Sequence, residues 1–245
     1  MTVGYEVRDS IAYISFERRE KHNAFRDEDL EALSVAVRRL DADDTAEIGI
    51  LFGQGRSFSS GGDVSDRLQR SIDEGSTAGR TTEREAFLEC DHWKPIIAAV
   101  HGYCLGHALA TALLCDHVVA SRNARFQVTE TKIGLPMPGL LPQLGTLAFA
   151  YDVAMTGRMF TAEEAMAGGA LTRLAEDDEH VQSAEELARQ ILENPPTAVR
   201  AFVQVRRAMM VDDAARYNAV APAFDWATSS EAKAAIADRA KPRDL

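Results

Sequence analysis

Between Pro95 and Ser121 an apolar run breaks at two glycines, continues as an apolar helical stretch and ends in a second apolar run, and this pattern constrains the fold more than any other stretch. Ile96–Ile97–Ala98–Ala99–Val100 is apolar enough to be a buried strand, "CLGHALATALLCD" (Cys104–Asp116) turns at Gly106 into a helix, and "DHVVAS" (Asp116–Ser121) is a second strand. "EIGILFG" (Glu47–Gly53) reads as another buried strand. Strands separated by helices need crossover connections, which predicts an α/β fold.

Roughly alternating apolar residues at Tyr5, Val7, Ile11, Tyr13, Ile14 and Phe16, around Arg8–Asp9–Ser10, predict a hairpin. From Asp27 to Leu40 the period changes. Leu30, Leu33, Val37 and Leu40 fall on one helical face, and Asp27, Glu28 and Asp29 occupy the first turn, where negative charge favours the helix dipole. Arg67–Phe87 is polar, rich in serine and threonine with two glycines, and reads as a mobile loop. After Pro195–Pro196 the periodicity is helical to the end. This divides the chain into a core over residues 1–190 and a helical module over 191–245, whose Ala198, Phe202, Val205 and Met209 recur at helical spacing.

The 245 residues are 46% hydrophobic, enough for a substantial core, and carry a formal net charge of −11. That charge repels nucleic-acid backbones and anionic membrane surfaces, so an anionic ligand needs local positive groups, for which Lys21, Arg56, Lys241 and Arg243 are candidates. Cys90, Cys104 and Cys115 form no CxxC pair and fit a reducing, cytoplasmic setting. No apolar stretch reaches the roughly 18 residues that span a bilayer. His92, His117 and His180 lack paired ligand spacing, which predicts no catalytic metal, and the serines show neither GxSxG nor an ordered triad.

"GQGRSFSSGGDV" (Gly53–Val64) follows one buried strand as "HGYCLGHALA" follows another. Neither is a Walker or GxGxxG loop. Each offers peptide N–H groups where a strand turns into a helix, a place that suits developing negative charge, and two such turns make an oxyanion hole.

With these two segments, "ARFQVTETKIGLPMPG" and "EKHNAF" (Glu20–Phe25), the chain resembles the enoyl-CoA hydratase/isomerase (crotonase) superfamily over nearly its whole length. The resemblance implies a crotonase-type ββα spiral with a C-terminal helical oligomerisation module, assembled as a homotrimer or hexamer. It implies an acyl-CoA substrate, with coenzyme A entering as part of that substrate and no tightly bound cofactor, and a thioester oxygen polarised by the backbone N–H groups of Ser60 and His107. Lys21, Ala24, Ser60, Gly61, Gly62, Asp63, Gly106 and His107 are the implied CoA-thioester contacts. Hydratases of the family use two glutamates. Here Ala110 stands at the first position and Glu130 at the second, and a lone carboxylate suits proton shuttling between carbons of an enoyl thioester. The expectation is an enoyl-CoA isomerase or hydratase, isomerisation favoured, with a non-catalytic acyl-CoA binder or a CoA-thioester hydrolase or decarboxylase as alternatives. Asp63 is also a candidate helix cap, and Asp116 reads as structural.

Overall fold

The computed structural model describes residues 2–63, 92–134, 138–220 and 230–239. The loop expected over Arg67–Phe87, and Cys90, Lys241 and Arg243, lie outside the described residues.

The chain opens with the expected hairpin of β1 (Val3–Arg8) and β2 (Ile11–Phe16), closed by Asp9 and Ser10 at φ 49° and 63°. Two left-handed residues in a two-residue loop match the right-handed twist of the strands they join. Helix α1 (Asp27–Ala42) buries Leu30, Leu33, Val37 and Leu40 as its periodicity predicts. β3 (Ile48–Gly53), β4 (Ile96–Val100), β5 (Tyr103–Leu105), α2 (His107–Leu114), β6 (His117–Ser121) and β7 (Arg125–Gln127) follow. Two 3₁₀ turns, Glu130–Ile133 and Pro138–Leu144, lead to α3 (Leu147–Thr156), β8 (Met159–Thr161), α4 (Ala162–Gly168), β9 (Arg173–Ala175) and α5 (His180–Leu192). The C-terminal helices are α6 (Pro196–Val220) and α7 (Ser230–Arg239).

Among the described residues six strands form one sheet in the order β1-β2-β3-β4-β6-β9, antiparallel only between β1 and β2. A second sheet, β5-β7-β8, stands beside it and carries the chain from the second glycine turn to the Glu130 turn. Every residue of β4 is buried, because both sheet faces are covered. On one face Phe16 packs against Phe25 and Phe58, ring centroids 4.9 and 5.3 Å apart, in the core that includes α1 and α2. On the other, Ile11, Ile48, Ile50, Ile97 and Val119 meet Ala184, Leu187 and Ala188 of α5. Each isoleucine, valine or leucine buried in this way contributes roughly 1.5–3 kcal/mol.

His180, the first residue of α5, stacks on His101 with ring centroids 4.3 Å apart. Burial, and then the neighbouring His101, push the His180 pKa down to about 4. Cys104 and Cys115 are buried free thiols, and burial raises the pKa of both. α6 turns Val203, Arg207 and Met210 inward and leaves Phe202, Val205 and Met209 exposed, at 81%, 60% and 65%. Among the described residues no helix is long and apolar enough to cross a membrane.

Candidate active site

The two glycine segments are zipped together by backbone. Phe58 N–H donates to the His101 carbonyl (2.8 Å), Ser59 N–H to the Tyr103 carbonyl (3.0 Å) and Leu105 N–H to the Ser59 carbonyl (3.2 Å). Gly61, at φ 88°, lies so close to the second segment that a Cβ there would stand 2.5 Å from the Leu105 carbonyl oxygen and 3.5 Å from the His107 nitrogen. Only glycine combines that φ with that approach.

The first segment is held by the stretch "HNAF". His22 and Asn23 both adopt positive φ, 48° and 53°. Asn23 is 2% exposed, and its side-chain amide donates to the carbonyls of Gln54, Ser57 and Phe58 at 2.9, 2.9 and 3.2 Å. The Ser59 hydroxyl donates to the Asn23 carbonyl (2.7 Å) and accepts from Gly61 N–H (3.1 Å). Sequence reasoning missed both positioning roles. An asparagine beside a glycine-rich partner loop is a weak signal until the two are known to touch.

One expectation is corrected. Ser60 N–H donates to the His22 carbonyl at 2.9 Å, so the amide assigned to an oxyanion is already engaged by backbone. The amide turned the other way is that of Gly62. Phe25 bridges to Gly62 in parallel fashion, donating to the Gly61 carbonyl (2.8 Å) and accepting from Asp63 N–H (2.8 Å). In that pattern the opposed residue's own N–H and C=O face away from its partner. Among the described residues nothing lies within 4 Å of the Cβ position of Gly62.

The second segment supplies His107 as the first residue of α2, with Gly106 as N-cap at φ 53°, ψ −121°. Its amide sits where a helix directs N–H groups and positive dipole outward. The imidazole stands edge-on to the Phe25 ring, centroids 5.9 Å apart. Gly106 N–H donates to the Gln127 carbonyl (2.9 Å), tying the turn to β7, and three residues on from Gln127 the chain delivers Glu130. Glu130 is 7% exposed, and its Oε1 would be 2.7 Å from a Cβ on Gly106. A buried carboxylate therefore stands beside the residue that caps α2. Ala110, one turn into α2, is 1% exposed and belongs to the apolar core.

The outer contacts are less concentrated. Asp63 is paired with Arg18 at 2.7 Å, and Arg18 also donates to the Ala24 carbonyl at 3.0 Å, which fixes the rim of the first turn. Lys21 and Arg56 are exposed on that rim. The helix that Asp63 was expected to cap lies outside the described residues.

Residues 6–233 match the family model described as enoyl-CoA hydratase/isomerase. The chain is 32% identical over 212 residues to (E)-benzylidenesuccinyl-CoA hydratase of Thauera aromatica, covering 83% of this chain and 81% of that one. It is 34% identical over 212 residues to carnitinyl-CoA dehydratase of Salmonella typhimurium, covering 81% and 79%. An enoyl-CoA hydratase/isomerase from Pseudoalteromonas atlantica has the same fold, with a TM-score of 0.84, 26% identity and complete coverage of both chains (100% each). Spiral architecture, paired glycine turns and sequence agree: the chain is a member of the enoyl-CoA hydratase/isomerase family.

Proposed function

We propose that the protein is an enzyme acting on an enoyl-CoA thioester, with the thioester oxygen received by the amides of His107 and Gly62 and Glu130 moving the proton. The juxtaposition of the Glu130 carboxylate with Gly106, one residue before His107, carries this reading. Removing a proton next to a thioester leaves an enolate, whose charge gathers on the oxygen. Two fixed N–H donors stabilise that oxyanion more than the neutral carbonyl, and this difference lowers the barrier. Glu130 takes a proton from one carbon as base and returns it to another as acid, so one carboxylate completes a double-bond migration. Ala110 offers no group to hold a water, which favours isomerisation over hydration.

A second reading is hydration or dehydration, favoured by the names of the Thauera and Salmonella relatives. One enoyl-CoA assayed for both reactions separates them. Glu130→Gln should lower isomerisation by about 10²–10⁴-fold with acyl-CoA affinity nearly unchanged. Efficient wild-type hydration that survives Glu130→Gln would overturn the single-glutamate mechanism. Ala110→Glu should raise hydration from a low level, at a cost in stability from burying a carboxyl group in the core.

We also read the helices beyond residue 190 as a module for self-association into a homotrimer or hexamer, because Phe202, Val205 and Met209 leave one face of α6 apolar and exposed.

A further inference from the structure

Helix α2 is short and buried, and its two ends have unequal means of support. Ala108 through Leu114 are all buried, so the carbonyls of the last turn have little access to water. At the far end Arg206 of α6 donates to the carbonyls of Leu113 (2.8 Å) and Leu114 (3.0 Å), and Arg207 donates to Leu114 (2.8 Å). Arg207 also donates to Asp116 Oδ1 at 3.0 Å and touches His92 Nε2. The other oxygen of Asp116 accepts from Ile96 N–H at 2.8 Å, at the start of β4. One guanidinium thus joins the C-terminal helix, the end of α2 and the strand that precedes the second glycine turn.

Arg207 is 3% exposed and the Asp116 side chain 8%. A buried ion pair of this kind is a weak source of stability, since well-packed apolar residues commonly do as well. Its distinctive property is direction, because a planar fork fixes two carbonyl and carboxylate partners at once. Eight residues of helix are about 12 Å long, so α2 moves as one piece and a shift at Leu114 reaches His107.

We propose that Arg207, assisted by Arg206, is a positioning residue for the reaction: by clamping the C-terminal end of α2 it sets where the His107 amide meets the thioester oxygen. This rests on the oxyanion reading above. It makes α6 part of the scaffold of the site as well as a candidate association surface.

The test uses the full chain and butanoyl-CoA carrying ¹³C at the thioester carbonyl, whose stretching frequency reports polarisation by the two amides. The same proteins are assayed for kcat and KM with an enoyl-CoA. Arg207→Met should shift the bound carbonyl back toward its solution frequency and lower kcat by about 10- to 100-fold, with KM within about threefold of wild type. Arg207→Lys should recover part of both. Val203→Ala, in the buried face of the same helix, should melt earlier yet keep the wild-type frequency and kcat, which separates positioning from loss of stability. If Arg207→Met does not fold, Arg206→Met decides, since it removes two of the three bonds to the α2 carbonyls. A wild-type frequency shift that either folded variant retains in full, with unchanged kcat, overturns the positioning role alone. A wild-type carbonyl that stays at its solution frequency overturns the oxyanion reading itself.

Discussion

The carboxylate of Glu130 rests against the α-carbon of Gly106, so near that a methyl group on that carbon would lie 2.7 Å from Oε1 and would also strike the Thr129 hydroxyl. Gly106 further holds φ 53°, ψ −121°, outside what side chains adopt readily. Gly106→Ala should therefore lower the melting temperature by several degrees, and turnover should fall with it, the backbone alone costing about 1–2 kcal/mol. Gly62→Ala is the contrasting variant. Among the described residues its added methyl meets nothing within 4 Å, so its thermal melt should stay near that of the wild type.

Asn23 serves three carbonyls with one side-chain amide, the buried ones of Ser57 and Phe58 and the half-buried one of Gln54. Asn23→Ala strands all three and should cost about 2–4 kcal/mol in a urea titration. The loop it pins carries the Gly62 amide, so kcat should fall more than acyl-CoA affinity. Unchanged kcat in the folded variant would separate the loop's stability from its chemistry.

Stability should fall in mild acid. His180 has a folded pKa of about 4 against about 6.5 in an unfolded chain. Its neutral form is what the fold accommodates, so its contribution is fully present above about pH 6.5 and is lost as pH falls toward 4. The slope from this one group is at most about 1.4 kcal/mol per pH unit, and urea midpoints at pH 7, 6 and 5 measure it. His180→Leu should reduce the slope over that range, what is left including the contribution of His92, whose pKa burial pushes down to about 2.

Association should depend on the outer face of α6. Phe202→Asp with Met209→Asp puts two charges where 81% and 65% exposed apolar side chains stand, while the inward Val203 and Met210 are untouched. Sedimentation at micromolar concentration should show an oligomer for the wild type and a smaller species for the double variant. A wild-type monomer would remove α6 as an interface.

Long periodic elements were legible in the sequence, and relationships across the chain were not. The hairpin and α1 declare themselves through apolar spacing, which in α1 follows the buried face, and β3, β4 and β6 through near-continuous apolar runs, because both faces of those strands are covered. The three-residue strands β5, β7, β8 and β9 are too short to show any period. At the site, counting glycines located the first turn but not which amide it turns outward. That choice is made by the His22 carbonyl, which takes Ser60 N–H, and by Phe25, which bridges to Gly62. Likewise nothing in "VTETK" reveals that Glu130 is buried, because the missing side chain that makes room for it belongs to Gly106.

The two buried thiols bracket the helix that presents His107. Cys104 lies in β5 just before it and Cys115 caps its end, and burial holds both thiols far from the reactive thiolate. Alkylating reagents therefore reach them only when α2 parts from the sheet. The rate at which a maleimide labels Cys104 and Cys115, read separately by peptide mass, becomes a clock for how often the helix lets go at each end.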